Sequence, residues 1–432
     1  MDTSLIMYNL ALSMAGPALP ALWLGSRLAG RWGELWARLG LYRDLAPAPP
    51  GPRVWLQAVS VGEVGVALAV AQELWARRPE INLAVSSSTA KGLERAAQVF
   101  AGRARVLPFP LEAPWAVAAA CGKVRPQVYA SLETELWPNL LARLDRQGAA
   151  LLLLNGRISP RSFPRYQRVR PLAAGCLRRF QALSMISEAD AERAIALGAP
   201  AARVRVDGNA KYAGLLEQAQ ATDTSEAAAC LALNNAPLIV AGSVRSGEEE
   251  PVLGAFVQVL KRHPAAVLAA APRHIERAPR WLAACQRHGL LAQAWSGLSP
   301  RAPRRPETSV VVVDAMGSLM ALYGLGRAAF LGASLVPLGG QNPMEPAAWG
   351  APLVFGPDMA DFLDAAEALQ AAGAAQVVGG AEELARAWGE LLSDPARAAQ
   401  RGQAGRRVVA GWSGAAAAAA GLILAALERR GV

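Results

Sequence analysis

An α/β chain with two parallel sheets, led by a hydrophobic N-terminal anchor helix, is the fold class this sequence predicts, on three observations. Short runs rich in β-branched and apolar residues alternate with stretches of helical periodicity along most of the chain. Alternation of this kind implies a parallel sheet covered by helices on both faces. It comes in two series, separated by a polar, Ala-rich connection around Gly214–Asn235. Residues Thr3 to Ser26 carry no charge and are mostly apolar, long enough as a helix to cross ~30 Å of hydrocarbon.

The N-terminal segment is taken first. Pro17 and Pro20 would kink such a helix. No small-residue cleavage site follows and no basic stretch precedes, which argues against a removed signal peptide. Arg27, Arg31, Arg38 and Arg43 come after it, so the positive-inside rule puts the main body in the cytoplasm. A helix lying in the interface is the alternative form of the same anchor. Residues 1–46 are therefore expected as anchor and juxtamembrane segment. Pro47–Pro52 reads as a stiff linker, since prolines hold the chain extended.

The first series has expected strands at Val54–Val59, Asn82–Ser87, Arg105–Leu107, Gln127–Leu132, Ala150–Leu154, Ala182–Ile186 and Val204–Val206. The second has Leu238–Ala241, Ala266–Ala271, Val310–Val313, Ala328–Leu331, Pro352–Phe355 and Gln376–Val378. The expected domains are 47–213, a linker 214–236, and 237–432, with the last helix able to pack back on the first domain. Two such halves would face a cleft with their carboxyl edges, where open α/β sheets bind ligands.

Composition narrows the partners. With 432 residues, two or three domains are expected. Lys and Arg total 44 against 34 acidic residues, a net charge of +10, and the cations are overwhelmingly Arg, which suits bidentate contacts with phosphate or carboxylate. Cys121, Cys176, Cys230 and Cys285 are widely separated and lack metal-ligand spacing, so they read as reduced core residues and no metal site is visible. There is no P-loop and no GxGxxG fingerprint, which leaves a dinucleotide dehydrogenase little support.

Chemistry-bearing residues gather at strand ends. The run Trp55–Val64 reads as strand, glycine turn and helix, with the helical pattern expected over Val64–Arg77. Glu63 falls in the first helical turn, where a carboxylate either satisfies the dipole or accepts a proton from an incoming hydroxyl. Ser131-Leu132-Glu133-Thr134-Glu135-Leu136-Trp137-Pro138-Asn139 sets two carboxylates at another strand end, with Pro138 suited to open the next helix. One of the two can pair with Arg157 or Lys211 while the other faces the cleft. Lys211 follows the strand Val204–Val206 in a chain that otherwise prefers Arg. Arg157, Arg161, Arg165, Arg168, Arg170, Arg178 and Arg179, interleaved with Phe163 and Tyr166, suit a polyanion, and the nearby anchor favours phosphorylated lipid over nucleic acid.

The second half repeats the anion theme. Gly242–Glu248 is a strand-to-helix turn whose free N–H groups suit an anion. Pro272-Arg273-His274 ends the next strand, and Gly339–Pro346 opens a helix with Glu345 in its first turn. Such turns in one half favour a nucleotide-sugar pocket.

Together Ala58–Glu63, Glu133–Asn139, Pro272–His274, Asp314–Gly317 and Gly339–Glu345 resemble, in order and spacing over nearly the whole chain, the Kdo transferases of lipopolysaccharide assembly, glycosyltransferase family 30. The resemblance implies the GT-B architecture of two Rossmann-like domains. It implies inverting transfer of 3-deoxy-D-manno-octulosonic acid (Kdo) from CMP-Kdo to the lipid A precursor, lipid IVA. By it Glu63 is the general base, Glu133 and Lys211 assist the transition state, and Pro272, Arg273, Met316, Gly317, Ser318, Asn342, Pro343, Met344 and Glu345 hold CMP. The acceptor is expected on Arg157, Arg161, Arg165 and Arg168. CMP leaves readily and its charge can be met by backbone N–H groups and Arg273, so neither metal nor other cofactor is demanded. The chain departs from the family where it has Gln57 and Gln341 in place of His, Val244-Arg245 in place of Thr-His, and Ser318 in place of Glu. Two other readings fit the anchor and cleft: a GT-B transferase using a UDP-sugar and a lipid-linked acceptor, or a catalytically silent membrane-tethered binding protein.

Overall fold

The computed structural model describes residues 3–14, 36–42 and 49–431. By internal packing the chain divides into one unit of Met1–Ala213 with Trp412–Val432, and a second of Gly214–Gly411.

The first unit is built on seven parallel strands: β1 (Arg53–Gln57), β2 (Asn82–Ser87), β3 (Ala104–Pro108), β4 (Val128–Leu132), β5 (Ala150–Gly156), β6 (Ala182–Met185) and β7 (Val204–Val206). Their order is β3-β2-β1-β4-β5-β6-β7. The chain winds outward from β1 one way and from β4 the other, so the strand order reverses between these two neighbours. Alternation along β1 decides its faces. Val54, Leu56 and Ala58 join a core under the helix Val61–Arg77, while Trp55 points into the opposite core. There Trp55 meets Tyr129 edge-on at 5.6 Å and donates its indole N–H to Ser86 Oγ at 2.7 Å.

The first core is completed from the far end of the chain. Ala415, Ala416, Ala419, Ala420, Ile423, Ala426 and Leu427 of the helix Ala415–Glu428 are buried with Val64, Val66 and Val70. Short alanine side chains allow close approach of the two helices.

The expected spanning anchor helix is not supported by the described residues. The described helix is Thr3–Met14, 12 residues, about 18 Å at ~1.5 Å per residue and too short to cross a bilayer. Asn9 and Asn139 exchange side-chain hydrogen bonds of 2.9 and 2.8 Å, which fasten this helix to the first unit. Residues 15–26 of the expected span, and 43–48 of the expected juxtamembrane segment and linker, lie outside the described residues. Among the described residues, the helical stretch long and apolar enough to cross a membrane is C-terminal, Pro395–Glu428, and its Ala-rich part supplies the first unit's core.

The second unit has β8 (Leu238–Val244), β9 (Val267–Pro272), β10 (Ala292–Ala294), β11 (Val310–Val312), β12 (Ala328–Leu331), β13 (Leu353–Phe355) and β14 (Ala375–Val377), all parallel, in the order β10-β11-β9-β8-β12-β13-β14. Strand order again reverses, here between β8 and β12. The expected connection over Gly214–Asn235 holds two helices of this unit, Leu215–Ala221 and Ser225–Leu231. Each is seven residues, too short for a helical period to stand out. Strand β10 was not expected, because three half-buried residues at a sheet edge leave little pattern. All four cysteines are buried.

Candidate active site

In the first unit the expected catalytic residues follow β1, β4 and β7. Ser60 caps the helix Val61–Arg77, which starts three residues earlier than the periodicity suggested. The Glu63 N–H donates to Ser60 Oγ at 3.2 Å, and the Val59 N–H donates to Glu63 Oε2 at 2.6 Å. This reciprocal cap explains why Ser and Glu stand three apart at a helix start. It also holds the Glu63 carboxyl rigidly at the sheet edge, 7 % exposed. Burial raises its pKa above the usual carboxylate value, the Val59 N–H and the Ser60 hydroxyl oppose this, and the charge of Glu135 adds to the rise.

Glu135 is likewise raised by burial, against a 2.7 Å hydrogen bond from the Trp137 indole and with the charge of Glu133 pushing the same way. Glu133 has φ +56°, in the left-handed region. Thr134 ties the loop down: its Oγ1 accepts from the Arg157 N–H at 3.0 Å and its carbonyl from Tyr166 Oη at 3.1 Å. Arg157 thus contributes through its backbone.

Lys211 lies exposed on the turn Ala210–Tyr212. Asn155, itself at φ +55° near the end of β5, accepts from the Ala210 N–H at 2.8 Å, and Asn209 accepts from the Lys211 N–H at 3.0 Å. Ala210 is buried in the same core as Val64, so this turn packs with the helix that carries Glu63. Arg161, Arg165 and Arg168 are exposed around the short helix Phe163–Arg168. Arg179 pairs with Asp145 at 2.7 Å, and Arg170 donates to the Ala196 carbonyl at 3.0 Å.

In the second unit a cavity of 280 Å³ opens at the carboxyl ends of β8, β9, β11 and β12. Of the expected CMP residues, Pro272, Arg273, Met316, Gly317, Asn342 and Glu345 line it. Ser318, Pro343 and Met344 are absent from its wall: Ser318 begins the helix Leu319–Leu325, Pro343 begins Met344–Trp349, and Met344 is fully buried. Ser243, Tyr323 and Gln341 also line the cavity without having been proposed as ligands. Of these Tyr323 had no local signal, because its hydroxyl reaches the wall by lying over Gly242, a glycine whose missing side chain makes room for it.

The cavity is polar at one end. Asn342 donates to Glu345 Oε1 at 3.1 Å and accepts from the Met344 N–H at 3.1 Å. Burial lifts the pKa of Glu345, opposed by Asn342 and by the positive charge of Arg273. Burial, with the Glu345 charge beside it, also raises that of Tyr323. The expectation that the Gly242–Glu248 turn offers free N–H groups is corrected. The Arg245 N–H donates to Glu248 at 2.9 Å and the Gly247 N–H to Glu249 at 2.7 Å, so the chain's own acids take those positions.

The carboxyl edge of one sheet thus carries the buried Glu63 with the half-buried Glu133 and Glu135, and that of the other carries a cavity walled in part by Arg273, Asn342 and Glu345. Residues 33–214 match the family model described as 3-deoxy-D-manno-octulosonic-acid transferase (kdotransferase). The 3-deoxy-D-manno-octulosonic acid transferase of Bordetella pertussis is 31% identical over 437 residues, covering 98% of this chain and 98% of that one. The chain belongs to the Kdo transferase family. It is accordingly a glycosyltransferase, of a family that transfers Kdo in lipopolysaccharide synthesis.

A bifunctional glycosyltransferase/methyltransferase of Fusobacterium nucleatum is 30% identical over 318 residues, 73% of this chain, and the chain spans about half (49%) of that longer relative. Among solved structures, the UDP-GlcNAc 2-epimerase of Neisseria meningitidis is similar in fold, with a TM-score of 0.57 at 11% identity, over 87% of this chain and 100% of that one. That likeness shows a GT-B-like fold of two parallel-sheet α/β units and nothing of substrates.

Proposed function

We propose that this Kdo transferase moves Kdo from CMP-Kdo to lipid IVA with inversion, and that Glu63 is the general base. The observation that carries the reading is the Glu63 carboxyl: buried, fixed by its cap at the end of β1, and raised in pKa beside a second, half-buried acid, Glu135. Active sites are where such arrangements concentrate. In the reaction the acceptor hydroxyl gives its proton to Glu63 as its oxygen bonds to the anomeric carbon. The bond from that carbon to the CMP phosphate oxygen breaks, and CMP takes the electron pair. Glu133 and Lys211 assist by meeting charge as it develops.

CMP occupies the cavity lined by Pro272, Arg273, Met316, Gly317, Asn342 and Glu345. Arg273 meets the phosphate and Glu345 accepts from ribose hydroxyls. Ser318, Pro343 and Met344 support these residues from behind the wall. The phosphates of the lipid acceptor, at the cytoplasmic face of the inner membrane, are met by Arg157, Arg161, Arg165 and Arg168, whose planar guanidinium groups suit phosphate.

Replacing Glu63 by Gln tests the base. Gln keeps an acceptor for the Val59 N–H and so preserves the cap, but it cannot take a proton. The variant is expected to bind CMP as the parent does and to lose about 10²–10⁴ in kcat. The acid limb of the pH–rate profile, which in the parent lies above the ordinary carboxylate range, disappears with it. A folded variant turning over within about tenfold of the parent would remove Glu63 from the role.

A further inference from the structure

We infer that Glu248 is a positioning residue for the donor nucleotide, shaping the pocket wall without touching the ligand; this rests on reading the 280 Å³ cavity as the CMP site. Glu248 is 0 % exposed. A buried carboxyl is costly unless hydrogen bonds replace water, and here four backbone N–H groups do so. Arg245 and Ala333 donate to Oε2 at 2.9 and 2.6 Å, and Ser334 and Leu335 donate to Oε1 at 3.0 and 2.9 Å. The first belongs to the turn after β8, the other three to the turn after β12.

These are the two strands between which strand order reverses, and the end of β8 and the loop after β12 both reach the cavity. Ser243, at φ +53°, lines it from the β8 side. On the β12 side Ala333 has φ +61°, so that consecutive N–H groups converge in an anion-binding nest. The Ala333 carbonyl then accepts from the Gly340 N–H at 2.8 Å, and Asp358 accepts from the Gly339 N–H at 2.7 Å. Gln341 and Asn342 follow directly and form the wall. One carboxyl therefore clamps the turn that follows Ser243 at the end of β8 to the loop that carries Gln341 and Asn342.

Glu248 begins a run of three acids, and the other two act elsewhere. Glu249 pairs with Arg277 at 2.6 Å. Glu250 pairs with Arg287 and His288 at 2.7 and 2.6 Å, on the surface.

The test is titration of the full chain with CMP, alongside turnover at varied CMP-Kdo. Glu248→Gln keeps the size but turns an NH₂ group toward two of the four N–H donors. Its CMP affinity is expected to fall by about tenfold or more, because small misplacements of binding groups are costly. The KM for CMP-Kdo rises to match, while kcat at saturation and the acceptor KM stay near the parent's. Glu248→Asp keeps the charge but is one carbon shorter, and it recovers part of the affinity; it also decides the matter if the Gln variant does not fold. Glu250→Gln binds CMP as the parent does. A parent that binds CMP, with folded Gln or Asp variants binding equally well, overturns the role of Glu248. A parent that does not bind CMP overturns the donor reading itself.

Discussion

Glu63, Glu112 and Glu135 of the first unit are all held in surroundings that favour the protonated acid. Glu112 is the most displaced. Burial pushes its pKa up from the ordinary 4.5 to about 7, although the Leu140 and Asn139 N–H groups, each 3.0 Å away at the start of the helix Pro138–Arg146, pull the other way. Because the folded-state pKa lies above the unfolded one, this group's contribution is fully present below pH 4.5 and is lost as pH rises through about 7. In Glu112→Gln, which mimics the protonated acid, that loss is absent. Melting curves of both proteins across this window should diverge, the parent losing roughly 3 kcal/mol more than the variant as an upper figure. Parallel curves would mean that Glu112 does not titrate there. Nothing around Glu112 in the sequence marks it, since its partners stand 27 and 28 residues further on. Glu63 was legible, because a strand pattern and a glycine turn lead straight into the helical periodicity beside it.

Strands rich in β-branched or apolar residues were placed well from sequence: Asn82–Ser87, Val204–Val206 and Ala328–Leu331 have the bounds expected of them. The Ala-Gln-Ala run of β10 was not found, because it has no β-branched residue and sits half-buried at the sheet edge. The junction of β8 with β12 is an element-scale property that no local pattern reveals. A side chain on Gly332 would run into the Ser243 carbonyl oxygen and Val244 Cα, both backbone and unable to rotate away. Gly332→Ala should therefore cost at least about 1–3 kcal/mol, as overpacking does, and should weaken CMP binding by spreading the two turns. A thermal melt together with a CMP titration checks both. An unchanged melting temperature would show that β8 and β12 tolerate separation.

At the scale of the molecule, charge is the feature that composition announces, with a net +10 carried almost entirely by Arg. Arg161, Arg165 and Arg168 are exposed, and buried-site chemistry does not use them. Changing all three to Gln should raise the acceptor's KM at least tenfold, given that one hydrogen bond to a charged group contributes about 1.5–3 kcal/mol. CMP affinity should be unaffected, since the cavity that would hold it lies in the other unit. Steady-state kinetics with detergent-dispersed acceptor measure the first, and CMP titration the second. Loss of CMP binding in a folded triple variant would assign these arginines to the donor instead.

The sequence by itself determined the two parallel-sheet series, the strand-end acids Glu63, Glu133 and Glu135, six of the residues around the second unit's cavity, and the family. These are local: a period of two or 3.6, a turn residue, or a motif is written in neighbouring positions. Only the tertiary structure decided that Thr3–Met14 is fastened to the body through Asn9 and Asn139, 130 residues apart. It alone seated Ala415–Glu428 in the first unit's core and filled the Gly242–Glu248 turn with the chain's own acids. The Glu248 clamp reaches 85 to 87 residues along the chain, and an apolar helix reads the same whether lipid or protein covers it. Which N–H meets which carboxyl, and what buries an alanine face, depend on how distant segments are brought together, and local periodicity carries no record of that.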